Sequence, residues 1–225
     1  MTTIQIRADL HVHTTYSNDS LITPKHLIHY AKKNGLNAVA VTDHNYLTGA
    51  LKIAKDTKDF LIIPGIEISS TNGHIIALNI TEPIPQGLTA TETIEHIHTL
   101  DGTAIACHPY VYFKGCLRNN VNNKFDAIEV INARAFPFQN SIKKAKETAE
   151  KLRLPQVAGT DAHYGPQIGY AYTTIDTTEP TAEAIAKAIK HGHCQAHGQQ
   201  VPPVLNLQQQ IQRLQRMVNK IALKI

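Results

Sequence analysis

Eight short runs rich in β-branched and other apolar residues recur along the chain: IQIRADL (4–10), NAVAVT (37–42), FLIIPGIEIS (60–69), HIIALNI (74–80), TAIAC (103–107), DAIEVI (126–131), PQVAGT (155–160) and YAYTTID (170–176). Their length and composition read as buried strands. Helix-like stretches separate them at 23–34, 46–58, 89–100, 140–152 and 181–191. Thr23–Pro24 supplies an N-cap and first turn, and Asn34–Gly35 closes the same helix. Strands alternating with helices form parallel β-α units, and so many units in one chain predict a barrel. With 225 residues the barrel is short for a class that averages about 250, so a small α/β barrel with trimmed connections is expected. The stretch 73–80 follows its predecessor after only Thr71–Asn72–Gly73, which admits a hairpin there in place of a crossover.

The barrel is expected to occupy residues 1–200. After Pro202–Pro203 the composition shifts: the segment has no acidic residue and carries Arg213, Arg216, Lys220 and Lys224. Leu207, Ile211, Leu214, Val218, Ile221 and Ile225 fall on one helical stripe. Residues 201–225 therefore predict an amphipathic helix, packed on the barrel or at a homodimer contact. The balance of 22 basic and 18 acidic side chains gives a formal charge of +4. With no dense Lys/Arg run, a stable nucleic-acid partner is not indicated. There is no signal-peptide pattern and no apolar run of membrane-spanning length. Cys107, Cys116 and Cys194 are an odd number without CxxC spacing and read as reduced thiols of a cytoplasmic protein.

The chain has 13 histidines, and several stand where strands end. The first strand runs into His11-x-His13. The second ends in Asp43–His44, the third carries Glu67, the fifth runs into His108, and the seventh reaches Asp161-x-His163. In a parallel barrel those ends converge on the face that holds the active site. Imidazoles and carboxylates gathered there repel and desolvate one another unless a cation balances them, and nitrogen with carboxylate oxygen suits zinc, manganese or iron. Alternation along a strand explains the intervening residue of His-x-His, since both side chains point to one side.

In this order, His-x-His, Thr-Asp-His, a Glu after an apolar strand, His-Pro and Asp-x-His resemble the PHP (polymerase and histidinol phosphatase) family, over roughly residues 8 to 176. The resemblance implies a distorted seven-stranded (β/α) TIM-like barrel, two or three divalent ions (magnesium also being possible) and hydrolysis of phosphate esters. It implies that His11, His13, Glu67 and Asp161 hold one ion, that Glu67 and His108 hold a second, and that His44, His163 and Asp19 hold a third. The last ligand of the second ion should lie near IEVINARAFPFQN, which has no His or Cys; Glu129, Asn132, Asn140 or water stand in for it.

A cluster of divalent ions suits phosphoryl chemistry driven by a metal-activated hydroxide. No GxSxG or P-loop pattern is present. His44, His163 and Asp161 are the expected catalytic groups, the two histidines as proton donors to the leaving oxygen. Arg134, Lys114, Arg118 and His74 are candidate substrate contacts, and Tyr16 and Tyr110 could stack a substrate ring. His191, His193 and His197 form a loose second cluster. The expected function is a metal-dependent phosphoesterase for a small phosphorylated metabolite or a nucleotide. A non-catalytic metal- or nucleic-acid-binding module and an amidohydrolase-type enzyme are the alternatives.

Overall fold

The computed structural model describes residues 2–112 and 115–222, the side chains of 220–222 excepted. Nine strands form one curved sheet: β1 (Ile4–Val12), β2 (Ala38–Val41), β3 (Leu61–Ser70), β4 (Gly73–Leu78), β5 (Thr103–Ala106), β6 (Ala127–Asn132), β7 (Gln156–Gly159), β8 (Ala171–Thr177) and β9 (Cys194–Gly198). The sheet order is β7-β6-β5-β4-β3-β2-β1-β8-β9. The helices are α1 (Pro24–Lys33), α2 (Thr48–Asp56), α3 (Ala90–Thr99), α4 (Phe138–Leu152), α5 (Ala182–Lys190) and α6 (Pro203–Ala222). The Thr23 hydroxyl accepts from the His26 amide at the start of α1, as its sequence signature requires.

The barrel is nearly closed. β1 pairs along its first half with antiparallel β8 (Ile4–Ala8 against Thr177–Thr173). Its end then turns to β7, where Val12 bridges Ala162 and the Asp161 amide donates to the His11 carbonyl at 2.7 Å. The third and fourth strands form the hairpin: β4 runs antiparallel to both β3 and β5. β9, at CQAHG, carries no apolar alternation; it is an edge strand held by backbone pairing to β8.

Two apolar layers result. Inside the barrel lie Leu10, Ile63, Ile76, Ile105, Ala127 and Val157, joined by Ile185 and Ile189 of α5. Outside, Val39, Ile66, Ile68 and Ile128 pack against Leu27, Ile53, Ile94 and Ala149 of the helices. Each buried branched side chain contributes about 1.5–3 kcal/mol. The inner layer fills the lower barrel and leaves polar groups at the upper mouth.

Candidate metal centre

The mouth is lined by strand ends, and a β-bulge aims the first of them. Ala8 and Leu10 both belong to the inner apolar layer, so strict alternation would turn residues 11 and 13 outward. The β1–β2 register shifts between Asp9 and Val12. That bulge adds one residue and reverses the phase, so His11 and His13 also point inward and are fully buried. A second shift between Glu129 and Ile131 of β6 does the same for Asn132.

The structure brings the predicted ligands together. His11 Nε2 and His13 Nε2 stand 3.1 Å apart. Glu67 Oε2 lies 3.5 Å from the former and 3.3 Å from the latter, and Asp161 Oδ1 lies 3.3 Å from His13 Nε2. The other Glu67 oxygen, Oε1, reaches His108 Nε2 at 2.9 Å and His74 Nδ1 at 2.8 Å. At a third corner, Asp19 Oδ2 is 3.0 Å from His163 Nε2 and 3.5 Å from His44 Nε2, while His44 Nδ1 is 2.8 Å from Glu67 Oε2. Asp19 supplies the carboxylate of that corner, as expected. The groupings His11–His13–Asp161, His11–Glu67–His108, His13–His44–His163 and His44–Glu67–His74 each bring their ligand atoms within 4.8 Å of one another.

These donors fit divalent cations. Asp19 Oδ1 and Glu67 Oε2 are buried carboxylate oxygens without hydrogen-bond partners, a costly arrangement unless something positive sits beside them. The field points the same way. Against the desolvation of burial, Glu129, Asp161 and Glu67 hold the His11 pKa well above its usual value. Also against desolvation, Asp19 and Glu67 push His44 up to about 10. Burial and the neighbouring His163 drive His13 down to about 3. Glu67 and Asp161, despite burial, are held well below the carboxylate range by His11 and the rings around them. A pocket that protonates some imidazoles and keeps its acids ionised is a pocket short of positive charge, and metal binding releases those protons.

The supporting groups were not foreseen as such. Glu129 Oε1 accepts from His11 Nδ1 at 3.0 Å, and its Oε2 accepts from the His108 amide at 2.8 Å and the Asn132 amide group at 3.1 Å. This fixes the His11 tautomer with Nε2 free to ligate. Asn132 and Glu129 therefore brace ligands, and Asn140 sits on α4. His74, expected to meet substrate, stands against Glu67 and forms a donor group with Glu67 and His44. Asp161 (φ 60°) and His108 (φ 32°) occupy left-handed backbone, held there by the His11 carbonyl and by Glu129, a local strain common at functional sites. We expect Glu129→Gln to weaken ion binding about 10- to 100-fold, read by competition with a chromogenic chelator, while the fold persists. An unchanged affinity would remove Glu129 from the site.

A cavity of about 600 Å³ opens above the cluster, lined by Asp19, His44, Glu67, His74, His108, Arg134, Phe136, Asp161, His163 and, from the C-terminal segment, Gln200, Pro203 and Asn206. Arg134 donates from its guanidinium to the Asp161 carbonyl at 3.0 Å. Arg118 sits apart, beside Tyr110, Tyr112 and Lys144, and Lys114 lies outside the described residues. His191 and His193 are 6.2 Å apart at the opposite end of the barrel, while His197 stacks on Tyr172. They form no metal-binding group among the described residues.

Residues 9–128 match the model of the PHP domain, and residues 140–194 match the PHP-associated model. The chain is 40% identical over 141 residues to the uncharacterized protein MJ1587 of Methanocaldococcus jannaschii, covering 57% of this chain and 82% of that one. It is 41% identical over 81 residues to the 5'-3' exoribonuclease Rnm of Salmonella typhimurium, covering 32% of this chain and 27% of that enzyme. Among solved structures, a two-domain Bacteroides vulgatus protein containing a predicted PHP-like metal-dependent phosphoesterase superposes with a TM-score of 0.74 at 16% identity, over 88% of this chain and 66% of that one. Ordered ligand motifs, a nearly closed barrel and a matched domain model agree: the chain belongs to the PHP domain family.

Proposed function

We propose that the protein is a metal-dependent phosphoesterase acting on a nucleotide or other small phosphorylated molecule. The observation that carries this reading is Glu67, whose two oxygens face two separate histidine groups, the disposition that lets one carboxylate bridge two ions. His11, His13, Glu67 and Asp161 would hold the first, and Glu67, His74 and His108 the second. Asp19, His44 and His163 would hold a third. Bound divalent ions supply Lewis acidity toward phosphate oxygens and acidify water.

The chain's own groups do the rest. Arg134 on the cavity wall presents guanidinium donors to phosphate oxygens. His44, at the open edge with a side chain 30% exposed, is the ring placed to give a proton from Nε2 to the leaving oxygen whenever it is not ligating. The Gln200–Asn206 segment narrows access to the cavity.

The rim favours a nucleotide over a purely aliphatic substrate. Phe136 is 58% exposed and lines the cavity, and its carbonyl accepts from the Tyr112 amide of the neighbouring groove. An exposed ring on the wall of a phosphate site offers a stacking face for a base. The Rnm relative, an exoribonuclease, is consistent with this.

The test is hydrolysis of p-nitrophenyl phosphate, bis-p-nitrophenyl phosphate and a panel of nucleotide mono- and diesters. It is run with added Mn²⁺, Zn²⁺ or Mg²⁺ and after chelation. We expect chelator-sensitive release of phosphate or nitrophenol, with nucleotides preferred over glycerol phosphates. Ions bound without turnover of any ester would favour a non-catalytic module.

A further inference from the structure

The last helix is amphipathic with its faces reversed. The polar side meets the barrel: Asn206 Oδ1 and Gln209 Oε1 accept from Gln167 at 2.9 and 3.1 Å, Gln212 donates to the Tyr164 hydroxyl, and Arg216 donates to the Ser20 carbonyl. The apolar side faces solvent. Val204, Leu207, Ile211, Leu214, Met217 and Val218 are between 47% and 63% exposed. An exposed apolar stripe of this size on a folded domain marks an interaction surface.

We propose that α6 is the contact of a symmetric homodimer, in which the apolar stripe of one copy packs along the same stripe of a second. The first argument is period. Val204, Leu207, Ile211, Leu214 and Val218 are spaced alternately three and four residues apart, the repeat that lets one helix seat its side chains in the holes of another. The second argument is charge. On a helical wheel the stripe is bordered by Gln208, Gln210, Gln215 and Asn219, all uncharged. Arg216 is turned to the barrel, and Arg213 falls on the same side of the wheel. An identical helix can therefore approach without like-charge repulsion over this stretch, and facing glutamines can exchange hydrogen bonds. A helix meant for anionic lipid instead carries Lys and Arg along its rim. The third argument is symmetry: one self-complementary patch suffices for a closed two-fold pair.

The contact also bears on the site. Pro203 and Asn206, in the first turns of α6, line the cavity above the metal centre, so pairing would hold one wall of that cavity in place.

Sedimentation equilibrium on the full chain, from about 1 to 100 µM, tests the proposal. The expected mass is twice 24.8 kDa. The double substitution I211Q/L214Q changes only solvent-facing positions and should leave the thermal midpoint of the monomer intact. It is expected to raise the dimer dissociation constant by about 100-fold or more. A wild-type chain monomeric at the top of the range, or a dimer as tight in the variant as in the wild type, overturns the proposal. Co-pelleting with phosphatidylglycerol vesicles is run in parallel: binding by a monomeric wild type, lost in I211Q/L214Q, would assign the stripe to membranes and equally overturn it.

Discussion

Glu67→Gln is expected to reduce metal-dependent ester hydrolysis by about 10³-fold or more. The carboxylate is almost fully buried at the bottom of the mouth, and five imidazoles lean on it: His74 and His108 on Oε1, and His11, His13 and His44 on Oε2. An amide keeps the shape but loses the charge, and it turns one acceptor into a donor aimed at ring nitrogens. Two donor groups are damaged at once, whereas His108→Gln would touch only one. The readout is turnover of the best ester together with ions bound per chain by plasma mass spectrometry. Activity within tenfold of wild type, with the ion count unchanged, would deny Glu67 its bridging place.

Gly159→Ala is expected to be nearly as damaging, for a steric reason. Gly159 ends β7 directly beneath His11. An added Cβ would lie 2.4 Å from His11 Cβ, 2.8 Å from the His11 amide nitrogen and 2.7 Å from Glu129 Oε1. Two of these neighbours are the root of a side chain and the backbone, so no rotamer relieves the clash. The strand or the ring must move. Overpacking of this kind costs about 1–3 kcal/mol, lowering the thermal midpoint by about 2–4 °C per kcal/mol in a chain of this size. Ion affinity should fall in step, because His11 and its Glu129 brace are the groups displaced. Gly87→Ala is the control: its φ is +82° but nothing lies within 4 Å of the new atom, so it carries the backbone penalty, about 1 kcal/mol, without loss of ions. Equal behaviour of the two variants would contradict the inward placement of His11.

Strand and helix positions were legible because short β-branched runs and capping pairs are local signals. His11, His13, Glu67, His108 and Asp161 were legible because each follows or ends such a run. The direction in which His11 points was not: it depends on a bulge that no pattern in IQIRADLHV announces, and plain alternation from Leu10 gives the wrong side. His74 hinged on topology. Once 73–80 is a hairpin, its first residues lie beside the end of β3, with Ser69 opposite His74, so the start of β4 belongs to the same mouth as the other strand ends. Glu129 looked like a spare second-ion ligand, but its carboxylate is spent on the His11 ring and the His108 amide. β9 was missed because pairing to the edge of β8 asks little of its side chains. The stripe on α6 was legible as a stripe; which way it faces was set by glutamines and asparagine finding partners on the β7–β8 loop.

Anomalous diffraction from crystals grown with saturating Mn²⁺ or Zn²⁺ puts the central claim to its most direct test. The account predicts two or three strong peaks inside the barrel mouth, one shared by His11, His13 and Asp161 and another by His74 and His108, with Glu67 touching both. Saturated crystals with no peak among these side chains, or with peaks only on the protein's outer surface, would contradict it.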